Sequence, residues 1–295
     1  MNRHVKEIII KNLFLTFAMV SIVILALILV FLFREAIPLF RVIPITDFIF
    51  GSQWYPTANP PEFGIWPLIV ASFLVTFFST LIAVPLGILS AVYIAEIARP
   101  IVKEILKPVI ELLAGLPSVV LGFFGMVVLG PWLQETFDLP TGLNILTASI
   151  ILAIMAIPTI SSISEDALYS VPREYKEAAY ALGATKYETI TTVVMPAALS
   201  GISTGVILGM ARVIGETMVV LMVAGGATAI PESIFDPVRP MPAAIAAEMG
   251  EAPYGGLHSN ALFAIGVVLF IMTLLFNLVA DYVSHKFKEV GSATL

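Results

Sequence analysis

The sequence predicts an all-α membrane protein, six spanning helices in a single domain over residues 1–295, and three observations carry that reading. Hydrophobic residues make up 59% of the chain and charged ones only 12%, whereas soluble domains carry roughly a quarter charged residues. Long apolar stretches recur, predicting spans at about 12–33, 68–95, 109–130, 145–163, 201–224 and 260–283. Each suits the roughly 20 residues a helix needs to cross about 30 Å of hydrocarbon. Lipid cannot satisfy backbone N–H and C=O groups, so loops and open strands are excluded from these stretches. Finally, one polar insert, about 164–200, separates the fourth span from the fifth.

The first apolar stretch is too long for a signal-peptide core and runs into Arg34 and Glu35 with no small-x-small cleavage pattern, so it is expected to be retained. The segment that follows is rich in Pro and aromatics. Its Trp54, Tyr55 and Trp66 are expected at the outer membrane–water interface, with contact to a soluble protein as the alternative. Near the start of the third span, Lys107 and Glu111 are four residues apart and are expected to snorkel to water. Pro117, with Gly122 and Gly125 beyond it, predicts a kinked helix closely approached by a neighbour. Between the last two spans, Pro231 to Gly256 is rich in Pro and Gly, yet Met241 to Met249 can form a short helix dipping back toward the outer face.

Orientation follows from the basic residues. With the amino terminus inside, Arg3, Lys6, Lys11, Arg99, Lys103, Lys107, Arg173, Lys176, Lys186, Lys286 and Lys288 fall on the cytoplasmic side, and only Arg34, Arg41 and Arg239 fall outside. That positive-inside bias makes both termini cytoplasmic. The chain has no Cys, which removes thiolate ligands and cysteine catalysis. A net charge of -6 and a pI near 5.1 argue against nucleic acid, which demands a basic face. His4, His258 and His285 flank spans without ligand spacing, so they are expected to be solvated and no metal site is expected. No Gly-Lys dipeptide occurs, so a phosphate-binding P-loop is excluded.

Within the insert, Pro172 and Glu174 suit the first turn of a helix expected to run to about Leu182. Gly183 then supplies a left-handed C′ residue, and Thr185 with Glu188 forms a capping box for a second helix running to about Met195. Tyr187, Ile190 and Val194 are expected to share one face, while Ala178, Ala179 and Ala181 keep the first helix slim enough to enter a groove. Such a polar hairpin has no use for lipid and is suited to being gripped by a soluble partner.

The sequence Glu177-Ala178-Ala179, with Gly183 after three residues and Val193 and Met195-Pro196 beyond, resembles the EAA loop of inner-membrane permeases from binding-protein-dependent ABC importers. Val193 and Met195 stand where that family usually has Ile and Leu. The resemblance implies a type I importer (MetI-like) bundle in the cytoplasmic membrane, whose EAA helices couple to a cytoplasmic ATPase through Glu177, Ala178, Ala179, Gly183 and Pro196. The stretches Leu113 to Val120, Ser161 to Tyr175 and Arg212 to Met218 resemble phosphate permeases, and Thr217 to Gly226, Phe235 to Arg239 and Ala247 to Ala252 resemble the PstC-type subunit. This implies inorganic phosphate as substrate. The implied partners are a PstA-type permease, a PstB-type ATPase dimer that uses ATP and Mg, and a PstS-type binding protein. The chain itself would hold no cofactor and catalyse no reaction.

Arg212 and Glu216 can be read without the family. Two charges inside an apolar span are costly unless paired or hydrated, and they usually face a bundle interior or a water-filled path. At i and i+4 they can pair on one helical face. Two readings stay open. In one, Arg212 lines a path and attracts an oxyanion, which its guanidinium fork matches, while Glu216 holds it and weakens its grip so that the ion passes. In the other, the pair merely fixes helix packing. Among functions, another oxyanion such as molybdate, sulfate or phosphonate is the nearer alternative. A membrane receptor or enzyme with an intramembrane Arg-Glu site is the more distant one.

Overall fold

The structure, a computed structural model, describes residues 3–292. The side chains of Arg3, His4, Lys6, His285, Lys286 and Lys288, which enter the orientation and solvation arguments above, lie outside the described residues.

Helix α1 (Arg3–Ala36) leads through a 3-10 turn (Ile37–Arg41) and a short α2 (Ile45–Phe50) to a two-stranded antiparallel hairpin, β1 (Trp54–Tyr55) and β2 (Glu62–Phe63), with Trp54 opposite Phe63. Helix α3 (Trp66–Val92) ends in a π turn (Tyr93–Ile97), and α4 (Pro100–Ala114) follows. Then come α5 (Ser118–Phe124), a π turn (Gly125–Leu129) and α6 (Gly130–Phe137). Helix α7 (Ile145–Tyr169) starts on Asn144, whose side chain accepts from Thr147 N at 3.0 Å as an N-cap. The insert holds α8 (Arg173–Ala181) and α9 (Lys186–Thr189), continued by a π turn (Ile190–Val194) and α10 (Met195–Ile214). After α11 (Met218–Val223) and α12 (Met241–Glu248), α13 (Leu257–Ser292) closes the chain.

Among the described residues six helical segments are long and apolar enough to cross a membrane: Ile10–Arg41, Trp66–Ile97, Ser118–Phe137, Ile145–Tyr169, Lys186–Ile214 and Leu257–Val279. Six spans were expected, but two are displaced. The third, expected over 109–130, begins instead at Ser118, because the chain breaks at Gly115 to Pro117 and Pro117 becomes the N-cap of α5 rather than a kink within one helix. The fifth, expected over 201–224, is one continuous helix from Lys186 that stops at Ile214, with α11 separate beyond Gly215. A π turn absorbs the extra residue between α9 and α10, and Pro196 sits in the first turn of α10, so the second hairpin helix does not end at Met195. The insert between helices therefore shrinks from 164–200 to the stretch between Tyr169 and Lys186.

Three apolar clusters run through the bundle. The central one gathers Val75, Ala83, Ile151, Leu152, Met155, Ile160, Val213 and Val223 around α7. Toward the hairpin, Ala91, Leu168, Val171, Ile190, Val194, Ala198 and Ile202 pack together. At the opposite end Leu39, Phe48, Trp54, Phe63, Ile65, Met241 and Leu262 join the α1–α3 connection to α12 and α13.

This last cluster corrects two expectations. Trp54 is not an interfacial residue: it is buried, and its Nε1 donates to both oxygens of Glu248 at 3.0 and 3.1 Å. His258 is not simply solvated either, since its Nε2 lies 2.8 Å from Glu248 Oε2. Arg239 Nη1 donates to the other oxygen at 2.6 Å, and its Nε to Gly226 O at 2.8 Å. A half-buried carboxylate collects all three side chains because burying it otherwise would leave a charge without partners. Tyr55 and Trp66 do remain exposed. The short helix expected at Met241 to Met249 is present as α12, and Met241 N donates to Ser72 Oγ of α3 at 2.8 Å.

Candidate functional site

Two sets of residues were singled out, and the structure treats them differently. In the hairpin, α8 ends as expected. Gly183 has φ +87°, Gly183 N donates to Tyr180 O at 2.9 Å and Ala184 N to Ala179 O at 3.1 Å, the two bonds of a Schellman motif. Thr185 and Glu188 then cap α9 reciprocally, Glu188 N donating to Thr185 Oγ1 at 3.3 Å and Thr185 N to Glu188 Oε2 at 2.7 Å. Gly183→Ala is expected to destabilise the turn by about 1 kcal/mol, because a Cβ penalises a left-handed residue even in open space. Hydrogen exchange at residues 182–189 would report the loss.

Of the EAA residues, Ala179 is buried, whereas Glu177, Ala178, Gly183 and Pro196 are exposed. Around them Tyr175, Tyr180 and Tyr187 are exposed, and Leu182 at the tip is 90% exposed. An apolar tip on a polar hairpin is a surface built for contact rather than for water. The expected face of Tyr187, Ile190 and Val194 is corrected. Ile190 and Val194 are buried, but Tyr187 points outward and Thr189 takes its place, because the π turn changes the register beyond Thr189.

Glu111 is exposed and the Lys107 side chain is 41% exposed, but Lys107 also has partners on α7 that the sequence did not indicate. Its Nζ stands 3.1 Å from Glu165 and 3.4 Å from Asp166 on α7, and the Glu165 hydrogen bond holds the ammonium above its ordinary pKa against the opposing effect of burial.

Arg212 and Glu216 do not pair; among the described residues no ion pair joins them. The physical reason is that α10 ends at Ile214, so the i, i+4 geometry of a continuous helix is lost between the two. Arg212 instead donates from Nη1 to Thr159 Oγ1 at 3.3 Å and from Nη2 to the backbone oxygen of Ala114 at 3.2 Å, the last residue of α4. Glu216 Oε1 accepts from Met218 N at 3.1 Å and Val219 N at 3.3 Å, the first turn of α11. A cation thus serves a helix C-terminus and an anion a helix N-terminus, each matched to the partial charge of the exposed backbone.

The two breaks lie side by side. A Cβ on Gly122 of α5 would stand 3.4 Å from Val219 Cα of α11, so the two short helices touch at their backbones. They also lie deep, since Thr159 stands about 15 Å inside the end of α7 at 1.5 Å per residue. Gly115, Leu116, Pro117 and Gly215 are exposed in this chain. Non-helical backbone at that depth is tolerated only against other protein or a water-filled cavity, never against lipid. The expected close approach at Gly122 and Gly125 is present, with Met222, Ile151 and Val223 in contact. The sequence identified Arg212 and Glu216 but missed Thr159 and the Ala114 carbonyl; Pro117, which frees that carbonyl by ending α4, was the available signal.

Residues 83–289 match the family described as binding-protein-dependent transport system inner membrane component. A probable ABC transporter permease protein, YqgH of Bacillus subtilis, is 44% identical over 82% of this chain and 78% of its own length. The phosphate transport system permease protein PstC of Mesorhizobium japonicum is 36% identical over 80% of this chain and 77% of its own, and that of Pasteurella multocida 32% over 92% and 90%. Among solved structures, a chain of a bacterial ABC transporter involved in the import of alginate superposes with a TM-score of 0.64 at 17% identity, covering 97% of this chain and 99% of that one. A chain of the inward-facing MetNI methionine transporter gives 0.57 at 21%, covering 76% and 94%. These likenesses bear out the expected importer-permease bundle, and the sequence relatives show that this multi-pass chain belongs to the family of binding-protein-dependent transport system inner membrane components, among its PstC-type permeases.

Proposed function

We propose that this chain is the membrane-spanning subunit of an ATP-driven importer of inorganic phosphate, and that Arg212 lines its path. The observation that carries the reading is the pair of adjacent helix breaks at membrane depth with Arg212 between them. Interrupted helices whose ends face a shared space form substrate sites in transporters, and a guanidinium with its donors spread over a neutral hydroxyl and a carbonyl can exchange them for an oxyanion. Phosphate as the substrate is supported by the relatives named PstC. With Glu216 engaged by α11, Arg212 meets no carboxylate among the described residues, and its grip is moderated by Thr159 and Ala114 instead.

The cytoplasmic hairpin seats on an ATPase, with Glu177, Ala178, Gly183 and Pro196 exposed for contact and Ala179 packing the turn. Both termini are cytoplasmic and the chain forms one membrane domain. Its partners are a PstA-type permease, a PstB-type ATPase dimer that holds the ATP and Mg, and a PstS-type binding protein. The chain binds no cofactor and breaks no bond. ATP supplies the difference in affinity between outward and inward states, without which no ligand shifts the equilibrium.

The test is uptake of radiolabelled phosphate, with sulfate and molybdate in parallel, into vesicles carrying all four components. ATP-dependent accumulation of phosphate alone supports the proposal. Accumulation of a different anion replaces the substrate, and no uptake of any anion rejects the transport role. Leu182→Asp is expected to reduce retention of the ATPase on the purified permease by roughly ten-fold, because it places charge on an apolar contact surface; equal retention would remove the tip from the interface.

A further inference from the structure

We propose that the hairpin acts on Arg212 through two separate arms, and that the ion pair between Lys176 and Glu96 is the strut of the second arm; this rests on the reading of the hairpin as the ATPase contact.

The first arm is continuous. From Lys186 to Ile214 the chain is a single helical rod of 29 residues, about 43 Å at 1.5 Å per residue, with Arg212 near its far end. Gly201, Gly205 and Gly209 bring this rod against Ala167, Ser164 and Ile160 of α7. Close glycine contacts of this kind leave no room for sliding. Arg212 and Thr159 therefore travel together.

The second arm begins at α8, in which only Ala179 is buried. Besides its packing on the π turn Ile190–Val194, α8 is tied to the end of α3 by Lys176 Nζ on Glu96 Oε1 at 2.7 Å, with side chains 22% and 10% exposed. Glu96 lies in the π turn that ends α3, and the same turn receives Lys103 Nζ of α4 on Ala95 O at 2.6 Å. Helix α4 has no fully buried residue, and alongside half-buried Val102, Leu106 and Ile110 polar contacts tie it to the bundle at its ends and middle. Lys103 ties its start, Lys107 ties its middle to Glu165 and Asp166, and Arg212 ties its last carbonyl. The Lys107 contact is a pivot: a pull on the π turn at the Lys103 end displaces Ala114 at the other.

Both arms thus end on one guanidinium, which rides on the first and bonds the end of the second. Displacing α8 relative to α9 changes the distance from Nη2 to Ala114 O, and a released Nη2 is a donor free for an anion. A part-buried ion pair suits a strut because it is directional and costly to break from one side only. The hairpin's motion is therefore converted into the availability of a donor in the path.

The test uses the complete four-component importer in proteoliposomes, reading ATP hydrolysis and phosphate uptake together. Glu96→Gln and Lys176→Met are each expected to lower phosphate imported per ATP hydrolysed by roughly ten-fold, with hydrolysis itself within about two-fold of wild type, the size of effect known for residues that modulate coupling without touching ligand. The reversed pair, Glu96→Lys with Lys176→Glu, is expected to recover most of that ratio. Wild-type coupling in Glu96→Gln overturns the strut. So does loss of the ATPase from the single variants with no recovery in the reversed pair, which would make the contact one of assembly alone. A wild-type importer that moves no phosphate would instead reject the function on which the strut rests.

Discussion

Arg212→Gln is expected to lower phosphate uptake by about 10- to 100-fold while the importer still assembles, the loss corresponding to roughly 1.5–3 kcal/mol for a charged hydrogen-bond donor. The expectation follows from what the guanidinium touches. Its partners, Thr159 Oγ1 and Ala114 O, are neutral, so the helix packing does not depend on neutralising a charge there. Gln reaches less far and carries no charge, and an anion loses its attraction. Arg212→Lys keeps the charge without the fork and is expected to recover part of the uptake, since a lysine cannot hold two divergent acceptors and an oxyanion in one plane. Glu216→Gln is expected to cost less than Arg212→Gln, because an amide oxygen can still accept from Met218 N and Val219 N. Equal losses in Arg212→Gln and Glu216→Gln would favour a coupled pair, and loss of assembly in the Arg212 variants would reduce the site to packing. Uptake alongside the yield of purified complex separates these outcomes.

The fold was legible where local chemistry decides it. Apolar runs gave the six spans, and the Thr185 to Glu188 capping box and Gly183 gave the hairpin turn, because each depends only on residues within a few positions of one another. Helix interruptions were read less well. Pro117 announced a disturbance, but whether a proline kinks a helix or starts a new one depends on what can satisfy the freed carbonyls, and the group that does so at Ala114 lies on another helix at Arg212. The same holds for Gly215 to Thr217, whose break could not be inferred from two charges four residues apart. Glu248 illustrates the limit at the end of the bundle opposite the hairpin. Trp54, Arg239 and His258 are scattered through the sequence, each with an ordinary interfacial explanation, and only the fold brings them to one carboxylate.

Gly209→Val, the change expected to damage the bundle most, tests whether α7 and α10 are locked. A Cβ at Gly209 would stand 2.5 Å from Ile160 Cγ1 and 2.9 Å from its Cδ1, and Ile160 is itself buried in the central cluster and cannot swing into space. Overpacking of a tight interior contact costs about 1–3 kcal/mol, and in a bilayer no hydrophobic driving force compensates, because lipid is as apolar as the helix face that is pushed away. The melting temperature of the purified protein is expected to fall by several degrees, at about 2–4 °C per kcal/mol. Phosphate uptake should fall with it, since Thr159 would no longer meet Arg212. Removing the obstacle should undo this: Ile160→Ala in the same protein is expected to restore part of the stability, so that the two changes are less harmful together than their separate effects predict. Gly250→Ala serves as the control, because nothing lies within 4 Å of its Cβ position. If Gly209→Val melts with wild type, the two helices have room to move apart, and Arg212 would be free to change its depth as well as its partner.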